Sequence, residues 1–325
     1  MLATMLNQLD NVLSPSEEPF LLYFKPKYGK VTLWNNELKK QFLDDFVLMH
    51  ERNFELYFYN YNDALENLYA LEKDMTYLEF CKAFYFQFLK GKEKSMVDTI
   101  VDKQLKYPFY IDQVQNISPD SKFIFLVRDP RDNVMTCIKR KLGRHLNIAY
   151  QASYWNNYFE NVTLERLHQK DKFMLVKYED IVHAPEKHLS QICTFLNIKY
   201  NENMLAFHDS FSNFIKEHEP DVDKQFMHQL KDFHSGLQRP LDSSKIGVWK
   251  KEDKKTIQLI EKITGPLASK LGYEIEKSSY KLSLSEKYWI WLGTLQKKWT
   301  LKLYLQIPFR IKIFIKRIRK PARKE

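Results

Sequence analysis

Glycine is scarce in this sequence, with 8 among 325 residues. A phosphate-binding loop of the Walker type needs closely spaced glycines, because its backbone amides must approach the phosphates. No such loop occurs in the sequence, which argues against a nucleotide kinase of that kind.

Cysteine is also rare, and the three thiols (Cys81, Cys137 and Cys193) lie far apart. No Cys-x-x-Cys pair or His/Cys cluster has the spacing of a metal site, so we expect free thiols and no metal. The sequence begins without a leader pattern and contains no apolar run of about 18 residues. These features predict a cytoplasmic protein without a spanning segment.

Net charge is +10 for the whole chain, but it is distributed very unevenly. Residues 281–325 hold 13 Lys and Arg against 2 acids, so the preceding 280 residues carry about −1. A nucleic-acid-binding body would need a basic surface of its own. We therefore expect no nucleic-acid partner.

The segment 121–140 is the most informative part of the sequence. The apolar run from Phe123 to Val127 predicts a buried strand, and Asp129 and Pro130 form a good N-cap and first residue of a helix. Arg128 thus lies at the carboxyl end of a strand, where ligands bind in α/β sheets and where a helix N-terminus favours anions.

The helix that follows carries Asp132, Thr136 and Arg140 at spacings of four, which places them on one face. The hydroxyl of Thr136 and the guanidinium of Arg140, together with Arg128, predict an anion site. The alternative is a well-capped helix start without a ligand. Since strands alternate with helices along the chain, the predicted class is α/β with a parallel sheet.

Two later segments extend this pattern. Lys177-Tyr178-Glu179-Asp180 follows a strand predicted at 173–176, and the loop 239–250 combines serines, a glycine, a tryptophan and lysines. Such a loop can cover a nucleotide with its amides and cations. The alternatives are a capped turn for the first segment and a surface loop anchored by Trp249 for the second.

Together the three segments resemble the sulfotransferase family, in particular its bacterial group related to protein-tyrosine sulfotransferases, over about residues 1–276. The resemblance implies a three-layer, P-loop-NTPase-like α/β fold. It also implies transfer of a sulfuryl group from 3′-phosphoadenosine 5′-phosphosulfate to a hydroxyl or amine acceptor, which the sequence does not identify. A non-catalytic nucleotide-binding or membrane-associated protein of the same fold is the alternative.

The resemblance also implies roles for individual residues. Arg128 and Thr136 would bind the 3′-phosphate, Arg140 would be another cofactor contact, and Tyr178 would lie near the adenosine. Ser243, Lys245 and Gly247 belong to the loop that would cover the nucleotide. Val248 departs from the family pattern, because a basic residue usually precedes the tryptophan.

For catalysis, the resemblance implies a glutamate as the base that takes the acceptor's proton. Glu17 is preferred here and Glu18 is the alternative; Lys103 would lie near the transferred group. The competing interpretation is that these are solvated loop and turn residues.

One part of the family pattern is missing. The family begins with a strand and a Pro-Arg-Ser-Gly-Thr-Thr-like loop for the 5′-phosphosulfate, whereas this sequence begins with a helical pattern at Met1–Gln8. We expect a domain truncated at its N-terminus, with two strand edges left unpaired. Whether this chain is active stays open at this stage.

Residues 277–325 are predicted to form a basic, amphipathic C-terminal extension. Aromatic residues are mixed there with Lys and Arg, as in segments that lie on a membrane surface. The prediction is peripheral contact of residues 281–325 with the inner face of a membrane. The alternative is a helix that packs on the domain and is followed by a solvated basic end.

Overall fold

The computed structural model describes residues 1–319 except 16, 18, 51–59, 90, 91, 143, 144, 219–226, 229, 230, 232–234, 277 and 296–301. Its strands form two parallel pairs. Strand β1 (Val12–Leu13) pairs with β2 (Thr99–Ile100), and β3 (Phe123–Val127) pairs with β4 (Phe173–Lys177). Parallel strands need crossover connections, which here contain helices. The predicted α/β class with parallel strands is confirmed.

Helix α1 (Leu2–Leu6) packs in the apolar cluster that contains Val12 and Val176. The other helices of the first 117 residues surround an aromatic core. They are α2 (Phe20–Tyr23), α3 (Lys25–Tyr28), α4 (Asn36–His50), α5 (Tyr61–Tyr69), α6 (Tyr77–Tyr85) and α7 (Ile111–Ile117). Within this core Trp34 stacks on Phe80 with ring centroids 3.6 Å apart, and Phe42 meets Phe80 edge to face at 5.0 Å. All three rings are fully buried. The Phe and Tyr content of this region therefore serves packing.

The remaining helices of the domain follow the strand ends. They are α8 (Pro130–Lys139), α9 (Ile148–Phe159), α10 (Leu164–His168), α11 (Tyr178–His183), α12 (Pro185–Leu196), α13 (Phe207–His218) and α14 (Lys254–Lys270). Asp129 caps α8 as predicted, because its carboxylate accepts a hydrogen bond from the Arg131 amide at 2.8 Å. After α14 the chain turns at Gly272, whose φ of +80° favours glycine.

Several predicted boundaries were wrong. The sequence pattern predicts a loop over 11–19, where the structure has β1, and a strand over 96–101, of which only β2 forms. It predicts one helix over about 149–168, but the helix is interrupted before Thr163, which caps α10. It predicts an irregular segment over 200–240, and this segment contains α13. Two-residue strands show no alternation from which they could be recognised.

The two β pairs share a core although they are separate sheets. Among the described residues, β2 and β3 each pair along one edge. Val12 of β1 and Val101, directly after β2, lie in the same apolar cluster as Ile124 of β3 and Val176 of β4. The carboxyl ends of both pairs carry the predicted site residues.

The C-terminal extension packs on the domain through three helices, α15 (Leu284–Leu295), α16 (Lys302–Gln306) and α17 (Phe309–Arg319). Helix α15 lies against α9, where Ser153 and Asn157 donate to the carbonyls of Ile290 and Gly293 at 3.2 and 3.1 Å. Helix α17 lies against α4 and buries Ile313 in the aromatic core. The domain boundary at 276 stays a prediction. None of the helices in the described part of the chain is long and apolar enough to cross a membrane.

The contact between α15 and α9 depends on the absence of a side chain at Gly293. A Cβ atom there would lie 3.0 Å from Ser153 Oγ and 3.2 Å from Ser153 Cβ. We expect Gly293→Leu to lower the free energy of unfolding by about 1–3 kcal/mol through overpacking, measured by urea denaturation. Gly236→Leu is the control, because a Cβ at Gly236 meets no atom within 4 Å. Equal stability of the two variants would contradict the role of Gly293.

Candidate functional site

Arg128 is the centre of the first group of predicted site residues. Its backbone carbonyl accepts a hydrogen bond from the Trp155 indole at 3.2 Å, which fixes the end of β3. Its guanidinium donates to Thr136 Oγ1 at 3.3 Å and lies over the Tyr178 ring at 5.1 Å. It also donates to the Lys245 carbonyl at 2.6 Å. One side chain thus joins α8, α11 and the loop 242–251.

The Nε atom of Arg128 is not used in these contacts. It is buried and has no hydrogen-bond partner among the described residues. A buried N–H without an acceptor costs about 1–3 kcal/mol. An anion bound beside Thr136 would satisfy this donor, so the residues present fit a phosphate group.

Asp132 fixes the loop 242–251 on α8. Its two carboxylate oxygens accept hydrogen bonds from the Gly247 amide at 2.6 Å and the Trp249 amide at 2.9 Å. Gly247 has φ of +68°, a conformation that favours glycine and turns its amide toward the carboxylate. Burial raises the pKa of Asp132, although the two amide hydrogen bonds act in the opposite direction.

This geometry refines the expectation for the polar face of α8. Asp132 was expected on the same face as Thr136 and Arg140 without a role of its own, and its carboxylate holds the loop. A carboxylate next to a phosphate would repel it. Arg140 lies at the exposed C-terminal cap of α8, one turn beyond Thr136.

Arg131 anchors the same loop from the buried side. Its guanidinium lies 3.8 Å from the centre of the Trp249 ring and pairs with Asp129 at 2.7 Å and with Glu261 of α14 at 2.9 Å. Arg131 and Glu261 are both buried. Sequence reasoning missed this network. The sequence shows an acid, Glu261, among the apolar positions of α14, but this pattern does not indicate that its partner is Arg131.

Glu179 joins the carboxyl ends of β3 and β4. Its carboxylate accepts from the Asp129 amide at 2.9 Å and from the Tyr273 hydroxyl at 2.9 Å. Burial, together with the adjacent Glu179 carboxylate, raises the pKa of Tyr273. The neighbouring Lys177 amine donates to the Gly272 carbonyl. The turn after α14 is therefore fastened to the strand end beside Tyr178.

Glu17 and Lys103 form the second group, at the carboxyl ends of β1 and β2. Their side chains make an ion pair between Glu17 Oε1 and Lys103 Nζ. Partial desolvation of the amine lowers the pKa of Lys103 to about 8, while the neighbouring carboxylate favours its charged form. Glu18, the alternative base, lies outside the described residues.

Asp102 holds the segment that carries Lys103. Its Oδ2 atom accepts hydrogen bonds from the hydroxyls of Tyr85, at 2.5 Å, and Tyr107. Its Oδ1 atom accepts from Gln104 Nε2 at 2.6 Å. This network was not predicted, because the two tyrosines come from separate parts of the chain.

The structure therefore brings the predicted residues together in two groups. Arg128, Thr136, Tyr178 and the loop with Ser243, Lys245 and Gly247 meet at the ends of β3 and β4. Glu17 and Lys103 meet at the ends of β1 and β2. Within the described part of the chain, no group of three or more His, Cys, Asp or Glu side chains is arranged to hold a metal ion.

Residues 1–202 match the sequence profile described as the sulfotransferase family. The chain belongs to the sulfotransferase family. The matched region contains Glu17, Lys103 and the whole segment from Arg128 to Tyr178, so most of both groups lies within it.

Curated relatives include protein-tyrosine sulfotransferases from animals. The chain is 27% identical to protein-tyrosine sulfotransferase 1 of Danio rerio over 166 residues, which are 49% of this chain and 43% of the relative. It is 36% identical to protein-tyrosine sulfotransferase of Drosophila melanogaster over 110 residues, 31% of this chain and 21% of the relative. The chain thus spans less than half the length of these relatives.

Solved structures show the same fold. The sulfotransferase domain from the Synechococcus PCC 7002 olefin synthase superposes with a TM-score of 0.50 at 19% identity, covering 85% of this chain and 90% of that domain. The sulfotransferase domain from the curacin biosynthetic pathway gives 0.50 at 16% identity, covering 85% and 93%. At these identities the likeness establishes the fold.

The Asp132 contact can be tested by hydrogen exchange. We expect Asp132→Asn to speed exchange of the Gly247 and Trp249 amides, because an amide side chain offers one acceptor oxygen where the carboxylate offers two. The loss should be on the order of 1–3 kcal/mol, or about ten- to a hundred-fold in protection. Asp242→Asn is the control, since this exposed residue caps Ser244 within the loop. Unchanged protection in Asp132→Asn would show that the loop is held by other contacts.

Proposed function

We propose that the protein transfers a sulfuryl group from 3′-phosphoadenosine 5′-phosphosulfate to a hydroxyl or amine acceptor. The observation that carries the proposal is the buried Arg128 Nε donor without a partner, next to the Thr136 hydroxyl and beneath a fastened loop. Membership of the sulfotransferase family supports the reaction class.

In this proposal the 3′-phosphate of the donor binds to Arg128 and Thr136. A guanidinium suits this role because its planar donors match phosphate oxygens and remain charged at all relevant pH values. Tyr178 presents a ring beside Arg128 for the adenosine. Arg140, Ser243, Lys245 and the Gly247 backbone are the further proposed nucleotide contacts.

The proposed transfer needs little covalent chemistry from the protein. The acceptor oxygen or nitrogen forms a bond to sulfur while the bond from sulfur to the 5′-phosphate oxygen breaks, which releases adenosine 3′,5′-bisphosphate. Glu17 takes the acceptor's proton, and Lys103 stabilises the charge that develops on the departing oxygen. The ion pair between them places a base and a cation at one point.

The Asp102 network supports this assignment of Lys103. Three side chains hold the residue before it, so the lysine backbone is fixed without contacts from its own side chain. A fixed backbone with a half-exposed amine suits a residue that must meet a bound substrate.

Donor binding is tested at Arg128. We expect Arg128→Ala to weaken binding of adenosine 3′,5′-bisphosphate about ten- to a hundred-fold, because charge-assisted hydrogen bonds contribute about 1.5–3 kcal/mol. Isothermal titration calorimetry measures the change. Lys139→Gln is the matched control, since this exposed residue on α8 pairs with Glu252. An Arg128→Ala variant that binds as tightly as the unaltered chain would refute the assignment.

Catalysis is tested at Glu17. We expect Glu17→Gln to lower the turnover rate roughly 10²–10⁴-fold, the contribution typical of a general base, with bisphosphate affinity unchanged. The assay follows bisphosphate release with a panel of phenols and amines. Glu66→Gln, an exposed glutamate on α5, should keep full activity. If the unaltered chain binds the bisphosphate tightly yet transfers to none of the panel, the non-catalytic nucleotide-binding alternative is favoured.

A further inference from the structure

The C-terminal extension has an inner and an outer face, and both are apolar. The inner face packs on the domain: Gly293 of α15 contacts α9, and Ile313 of α17 is buried in the aromatic core. On α15 the outer face carries Leu284, Tyr288 and Trp291, all exposed, with Leu284 at 85%. Their spacings of four and three place them on one side of the helix. We define these three residues as the α15 outer patch.

Helix α17 repeats this arrangement. Ile311 and Phe314, three residues apart, are exposed, and Phe314 is 63% exposed. Lys312 and Ile313 between them are buried. The helix is therefore anchored by one side and shows large apolar side chains on the other. We define Ile311 and Phe314 as the α17 outer patch.

Exposed apolar residues are concentrated in this extension. Of the 13 large hydrophobic residues exposed in the described part of the chain, six lie between Leu284 and Phe314. Those of the domain, such as Leu33 and Leu164, come from separate elements. Single exposed apolar residues are ordinary, but their concentration in the extension marks an interaction surface.

Charge identifies the kind of partner. The exposed Lys281, Lys287 and Arg310 flank the two patches, and residues 281–325 carry +11 in total. Glu286, one of the two acids, is used to cap α15, where it accepts from the Ser283 amide and the Tyr280 hydroxyl at 2.7 Å each. The outer surface is thus both apolar and strongly positive.

A second copy of the chain does not complement this surface. Two such extensions would bring +11 against +11, and the rest of the chain offers a net charge of about −1. An anionic bilayer complements both properties, because its interface accepts aromatic and aliphatic side chains and its surface potential attracts cations. Each basic residue near such a surface contributes about 1 kcal/mol.

We propose that the outer face of the C-terminal extension docks on an anionic lipid bilayer. The α15 and α17 outer patches enter the interface, and Lys281, Lys287 and Arg310 lie among the headgroups. Anchoring needs two signals to be stable, and this surface combines apolar burial with basic charge. Cytoplasmic leaflets carry anionic lipids, which agrees with the location expected from the sequence.

The docking also sets which side of the domain faces the bilayer. Helix α17 is held on α4, and Tyr304 of α16 packs on Tyr23 of α2 at 5.3 Å. Helix α2 begins three residues after Glu17. The surface would therefore hold the chain through elements adjoining the proposed acceptor side of the site.

Flotation with vesicles tests the proposal on the full chain. We expect it to float with phosphatidylcholine vesicles that contain phosphatidylglycerol, and to lose most of this binding in high salt, which screens charge. Replacing Leu284, Tyr288 and Trp291 by Gln, or Ile311 and Phe314 by Gln, should each weaken binding about ten-fold or more. Replacing Lys281, Lys287 and Arg310 by Gln should weaken it about a hundred-fold.

Two controls separate lipid binding from loss of structure. Leu33→Gln with Leu164→Gln removes equally exposed apolar residues from the domain and should leave flotation unchanged. All outer-face variants should keep the melting temperature of the unaltered chain, because these side chains point to solvent.

The proposal fails if the unaltered chain does not float with the vesicles that contain phosphatidylglycerol, or if both outer-patch variants float as it does. It also fails if light scattering shows a dimer that the outer-patch variants abolish, since a second copy would then occupy the face. None of these results depends on sulfuryl transfer, so the proposed function is tested separately.

Discussion

The hydrogen bonds from the Gly247 and Trp249 amides to Asp132 are the contact on which the candidate site depends. They fasten a loop more than a hundred residues distant in sequence to the first turn of α8. With the loop in place, the Lys245 carbonyl reaches Arg128, and Trp249 covers Arg131. Asp129, Arg131 and Asp132 all lie at the start of α8. Through them this helix start contacts Glu179 at the strand end, Glu261 of α14 and the loop.

Sequence reasoning located the parts of this arrangement but not the bonds among them. The strand ending at Val127, the cap at Asp129 and the strand before Tyr178 were all predicted, since apolar runs and caps are local signals. The family resemblance pointed to Arg128, Thr136 and the loop. Asp132 was placed on the same helix face as Thr136, but its contact with the Gly247 and Trp249 amides was not predicted, because helical spacing gives the face of a residue and not its partner.

Other features could not be predicted from the sequence for a different reason. The Asp102 hydroxyl network and the Arg131–Glu261 pair join residues from separate elements, and no spacing rule links them. Strand β1 has two residues, too few for a pattern. The extension was expected either to meet a membrane or to pack on the domain. Its helices pack through one face and leave another exposed, so the two alternatives do not exclude each other.

The bonding of Arg128 has a consequence for the cost of holding an anion at this site. A guanidinium carries five N–H groups, so the bonds to Thr136 and to the Lys245 carbonyl leave further N–H groups besides the unpartnered Nε. The two bonds that orient the side chain can therefore persist while Nε donates to an oxyanion. Because α8 and the loop already fix the rotamer of this long side chain, an anion would bind there without the entropy loss of ordering it.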